Sequence, residues 1–173
     1  MQENQYTEQE LKLIRKNKRE KILVTILLFM LPIVAFIGVC IYDEKCHHRF
    51  SEQLFNCPLP EGTVLLECER DFGNLQPNGN NWNYIAIILI ESDKSAEELQ
   101  TYFEQQEFYY GEERSTRISP MDIDVQQAKD VIFISDYAPN ERYKFEYMET
   151  VQSTENLYYV TIFEGTYFLN LIL

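Results

Sequence analysis

One apolar run constrains this chain more than any other feature. From Ile22 to Tyr42 it carries 21 residues, ILVTILLFMLPIVAFIGVCIY, and none of them is charged. At about 1.5 Å per residue, a helix of that length crosses a hydrocarbon core about 30 Å thick. The run therefore predicts a transmembrane helix, with the bilayer as its partner. Pro32 lies near its middle and predicts a local kink, which a membrane helix tolerates when neighbouring groups satisfy the freed carbonyl. A cleaved signal peptide has a shorter apolar core, about 7–15 residues, followed by small residues. No such pattern follows this run, and Val39 beside Cys40 does not suit cleavage of a lipoprotein. An uncleaved anchor is the expectation.

Charge divides at the same place. Residues 1–21 hold six basic and four acidic residues, a net of +2, while residues 43–173 hold nine basic and 24 acidic, a net of −15. Lys12, Arg15, Lys16, Lys18, Arg19 and Lys21 all lie within ten residues of the apolar run. Basic residues stay on the cytoplasmic side of a membrane, so a cytoplasmic N-terminus and an extracytoplasmic C-terminal domain are expected, a single-pass type II signal-anchor. An outer domain this acidic repels phosphate, which argues against nucleic acid and favours a basic protein or peptide.

The organisation expected is a basic tail over 1–21, the membrane helix over 22–42, a juxtamembrane connector over 43–57 and a domain over 58–173. Thr7 and Glu10 have the T-x-x-E spacing of a capping box ahead of the membrane helix, and Pro58 and Pro60 end any helix before the domain. Residues 63–70, TVLLECER, alternate Val64, Leu66 and Cys68 against Glu67 and Glu69, as a half-buried strand does. Residues 84–92, YIAIILIES, are apolar on both faces and predict a fully covered central strand. Ser95 and Glu98 form a second capping-box spacing, and Ala96, Leu99, Tyr102 and Phe103 give the helix after it an apolar stripe. Residues 112–130 read as irregular. Segments 131–137, 143–151, 157–164 and 167–173 read as closing strands joined by short, hence antiparallel, connections. The fold expected is α+β: one antiparallel sheet of about five or six strands with one covering helix.

No motif reaches a catalytic signature. His47 and His48 are the only histidines and fall in the expected connector, so the domain has no histidine to activate a serine or cysteine. Cys46 with the two histidines makes a sequential cluster, where a metal needs convergent ligands. Asp122-x-Asp124 lacks the glycine and distal glutamate of a calcium loop. No cofactor and no metal are expected. Cys57 and Cys68 are a candidate disulfide in an exported domain, with Cys68 alternatively a small buried apolar residue. Phe108, Tyr109 and Tyr110 at the helix exit, with Trp82 in the turn-rich loop 71–83, are the candidate interaction residues, because exposed aromatics are enriched at recognition surfaces. The function expected is a non-enzymatic, membrane-anchored extracytoplasmic binding or assembly domain. An envelope immunity protein and a carboxylate- or metal-dependent hydrolase are the alternatives.

Overall fold

Residues 84–90 place an apolar side chain at every position, and a strand of that kind is stable only between two covering layers. The computed structural model describes residues 8–76, 82–110, 116–117 and 122–166. It builds both layers. The fold is α+β, with a long N-terminal helix, a small antiparallel sheet and a short helix.

Two compact units divide the chain, Met1–Glu44 and Lys45–Leu173. Helix α1, Glu8–Phe55, is 48 residues long and runs through the first unit into the second. It is long and apolar enough to cross a membrane, and none of its apolar window is buried. Exposure of the large apolar side chains there runs from 44% at Tyr42 to 72% at Phe29. Pro32 lies inside the helix, as read from sequence. The capping spacing at Thr7 involves a residue outside the described set.

In the second unit, strands β1 (Thr63–Gly73), β2 (Trp82–Ser92), β5 (Ile123–Gln127) and β8 (Leu157–Thr166) form one antiparallel sheet in the order β1-β2-β8-β5. Strand β2 is central, and its side chains from Asn83 to Ile90 are buried: Tyr84 is 1% exposed and Ile85 to Ile90 are 0% exposed. Its even-numbered side chains Tyr84, Ala86, Ile88 and Ile90 face one core, with Val160 and Ile162 of β8 and Ile123 of β5. Ile85, Ile87 and Leu89 face a second core, with Leu157, Tyr159 and Phe163.

Two helical segments cover the first core. Helix α2, Ala96–Glu104, contributes Leu99 and Phe103. Its capping box forms as the sequence implies: Glu98 N–H donates to Ser95 Oγ at 3.3 Å, and Ser95 N–H donates to the Glu98 carboxylate at 2.9 Å. The second cover is the end of α1. Residues 43–55, expected as a connector, are helical, and Phe50 and Leu54 are 3% and 1% exposed in that core. The helix stops at Phe55, just ahead of Pro58.

The second core is covered by chain that the sequence pattern assigns to strands. Residues 131–137 and 143–151 form only a two-residue ladder, β6 (Ile132–Phe133) with β7 (Tyr143–Lys144), and a 3-10 turn over Tyr147–Glu149. Their large apolar residues meet the pattern of a strand because Phe133, Tyr143, Phe145 and Met148 drop onto the sheet as a covering layer. Strand β5 falls in the segment read as irregular, because it is short and polar on one side. The main sheet thus has four strands among the described residues, and a second two-residue ladder joins β3 (Tyr109–Tyr110) to β4 (Thr116–Arg117). The closing strand expected over 167–173 lies outside the described residues.

Phe103 fills the helix-side core and Ser95 only caps its helix. Phe103→Ala should therefore cost about 3–5 kcal/mol and Ser95→Ala about 1 kcal/mol, as read from denaturant midpoints of the full-length chain in detergent micelles.

Candidate binding surface

Strand β1 is the long edge of the sheet, and a bulge decides what it displays. Register slips between Leu65 and Glu67, so Leu66 is the extra residue. The extra residue puts Leu66 and Glu67 toward the same side, where unbroken alternation would oppose them. Cys68 then pairs with Ile88 and packs on the helix-side core, while Leu66 packs on the other. The face shared by Val64, Leu66 and Cys68 in the sequence pattern does not exist. Glu67, Glu69 and Asp71 instead lie opposite Leu89, Ile87 and Ile85, on the side of the second core.

These carboxylates are more than strand decoration. Glu67 accepts from Glu146 N–H and from Tyr147 N–H, each at 3.0 Å, and so ties the start of the 3-10 turn to β1. The Asp71 carboxylate accepts from Phe72 N–H at 2.8 Å. Partial burial pushes the Glu69 carboxyl up from its ordinary value, and the charges of Glu67, Asp71 and Glu146 push it further. Lys144 of the covering layer pairs with Glu149 at 2.7 Å. The β1 edge thus carries three carboxylates on one face, Glu67, Glu69 and Asp71, with Arg70 between the last two in sequence and donating to Ser51 of α1. Val64 and Leu65, 58% and 37% exposed, add apolar surface at its start.

The aromatic candidates are distributed differently from the expectation. Phe108 is 2% exposed and belongs to the helix-side core, so it presents nothing to a partner. Tyr109 is half-buried, and its backbone is gripped by α1: Gln53 Nε2 donates to Tyr109 O at 2.7 Å, and Tyr109 N–H donates to Gln53 Oε1 at 2.8 Å. Its hydroxyl donates to Glu107 at 2.8 Å. Tyr110 pairs with Thr116 in the β3–β4 ladder, and Trp82 opens β2 opposite Thr166. The side chains of Tyr110 and Trp82 lie outside the described residues. The run Phe108-Tyr109-Tyr110 thus joins α1, α2 and the β3–β4 ladder, a role that sequence spacing alone does not separate from recognition.

His47, in the segment expected to be a solvated connector, is 4% exposed. Its ring lies 4.8 Å from Phe72 and stacks on Tyr84 at 6.1 Å, so it is part of the packing that seats the end of α1 on the sheet. His48 is exposed and lies 3.7 Å from Glu52. Among the described residues, no group of three or more His, Cys, Asp or Glu is arranged to hold a metal ion. All four cysteines are thiols in the structure. Cys57 and Cys68 pack against the helix-side core, and burial pushes both thiols up, with Glu52, Glu67 and Glu69 adding to the effect at Cys68.

A shallow cleft of about 250 Å³ lies between β5 and β6, lined by Gln126, Gln127, Phe133, Ile134 and Tyr159 among others. Tyr159 donates its hydroxyl to Asp130 O at 2.7 Å and is pushed up to about 12, first by burial. The lining contains Lys129 and Asp130 and, among the described residues, no histidine or cysteine.

No protein-family model, curated protein or solved structure matches this chain.

One carboxyl titrates near neutrality. Glu164 lies opposite Tyr84 in the β2–β8 ladder, and burial pushes it up to about 7 from the usual 4.5, with the charge of Asp122 contributing. Its folded value is raised, so the stability it contributes is fully present below about 4.5 and is lost as pH rises through about 7. The melting temperature of the full-length chain should therefore carry a falling component between pH 5 and pH 8. Glu164→Gln should flatten that component, and an unchanged profile in the variant would contradict the assignment.

Proposed function

We propose that this protein is a membrane-anchored binding domain: α1 holds an acidic α+β domain at the extracytoplasmic surface of a cell membrane, where it engages a basic protein partner without catalysing a reaction. The N-terminal tail is cytoplasmic. One observation carries the reading. The apolar stretch of α1 has no protein cover, with side chains such as Leu28, Phe29 and Phe36 at 70–72% exposure. A single exposed apolar residue is ordinary, but a contiguous surface of this size requires a partner, and lipid is the one its uncharged length suits.

Charge supports the orientation and the partner. The cations before the apolar stretch favour the cytoplasmic side, and the net −15 of residues 43–173 favours a basic partner over an anionic one. The bulged β1 edge, with Glu69 crowded by like charges, gives that preference a location. The cleft beside β5, without histidine or cysteine, supports binding over covalent chemistry.

Membrane fractionation with alkaline carbonate tests the anchor. The chain should stay in the pellet and be released only by detergent. Leu31→Arg puts a charge near the middle of the apolar stretch, at a cost of about 2.5–3.5 kcal/mol on insertion scales, and should shift much of the chain out of the carbonate-resistant fraction. Release of the unaltered chain by carbonate would overturn the proposal.

A further inference from the structure

We propose that the outer edge of β1 between Val64 and Glu69 captures an extended basic segment of a partner protein as a fifth strand of the sheet. The inference rests on the binding-domain reading and names the partner's chemistry and its mode of attachment.

Backbone geometry comes first. β1 is the terminal strand of the β1-β2-β8-β5 sheet, and its 11 residues make it the longer of the two edges, against five for β5. Among the described residues, the backbone of 64–69 makes no bond on the side away from β2. At the other edge, the carbonyl of Ile123 in β5 accepts from Gln100 Nε2 at 2.8 Å, and α2 packs beside that strand. An exposed edge offers a row of backbone donors and acceptors that an extended segment can complete, as peptides do when they add a strand to a sheet.

Side chains then select the occupant. Glu67 and Glu69 project on one face of β1, where Asp71 and Glu146 add to the negative charge around Glu69, and the exposed Glu91 pairs with Val64 at the start of the strand. Lysine or arginine at alternate positions of an incoming strand would stand opposite these carboxylates, while apolar residues would cover Val64 and Leu65. A second copy of this chain does not fit. Pairing two β1 edges would set Glu67 and Glu69 against their own counterparts, and like charges directly opposite are destabilising. The same acids that protect the edge from self-association thus leave it open to a basic strand.

The probe is a nine-residue peptide alternating lysine and valine, titrated onto the full-length chain in non-ionic detergent micelles. Three comparisons read the mode of binding. Glu69→Lys should weaken binding about tenfold by replacing an attraction with a repulsion. Glu97→Lys, an equal charge change at an exposed position of α2, should leave affinity within about twofold, since rim charges far from a contact contribute little. The same peptide N-methylated at every residue should not bind, because neither of its edges can then donate. Melting curves confirm that both variants remain folded. No binding of the unmodified peptide, equal loss in both variants, or unimpaired binding of the N-methylated peptide would each overturn the inference. If the peptide fails while the chain still resists carbonate extraction, the β1 inference falls and the anchored-domain reading stands. If carbonate releases the chain, the anchor itself falls.

Discussion

From Asn83 to Ile90 strand β2 has no solvent face, and its neighbours are arranged around that constraint. Five consecutive or alternate aliphatics, Ile85, Ile87, Ile88, Leu89 and Ile90, are each 0% exposed, and burying such a side chain contributes about 1.5–3 kcal/mol. Those gains exist only while both covers are in place. One cover is α2 with the last turns of α1, and the other is the 128–151 stretch with its few bonds to the sheet. Glu67 helps to hold the second cover by accepting from two backbone amides at its 3-10 turn. Loss of either cover would expose a continuous apolar strand, so the two layers should fold and unfold together.

The long helix has two chemically different halves of work. Its apolar stretch is uncovered by protein, whereas its end is a structural part of the sheet domain through Phe50, Leu54 and the ring of His47. The segment after the apolar stretch is therefore no slack tether. Arg70 of β1 reaches Ser51 of the same helix at 3.4 Å, and Gln53 clamps the backbone of Tyr109.

Much of this was legible from residue order because local signals and packing agree. The capping box at Ser95 and Glu98, the two-sided apolar pattern of β2 and the prolines after Phe55 each have one dominant physical cause. Legibility failed where one pattern has two causes. Aromatics at alternating positions serve a strand or a covering layer equally well, so the pattern at Phe133, Tyr143 and Phe145 predicts sheet where the structure has a cover. The bulge at Leu66 is a single extra residue that no composition signal marks, yet it reverses which face Cys68 and the acids share. His47 and Phe108 are buried by contacts with β1, β2 and α1 that lie far away in sequence, and spacing carries no record of them. The candidate surface was half legible: the acidity was plain, but its concentration at an open edge depends on strand order.

The orientation of the two ends of α1 is the central claim, and impermeant maleimide labelling measures it directly. Two variants are made in a chain whose native cysteines are replaced by alanine: Glu155→Cys in the sheet domain and Lys16→Cys before the apolar stretch, both at exposed positions. In intact cells, the account predicts labelling of Cys introduced at Glu155 and labelling at Lys16 only after the membrane is permeabilised. Labelling at Lys16 with protection at Glu155, or equal labelling of both positions in intact cells, would contradict it.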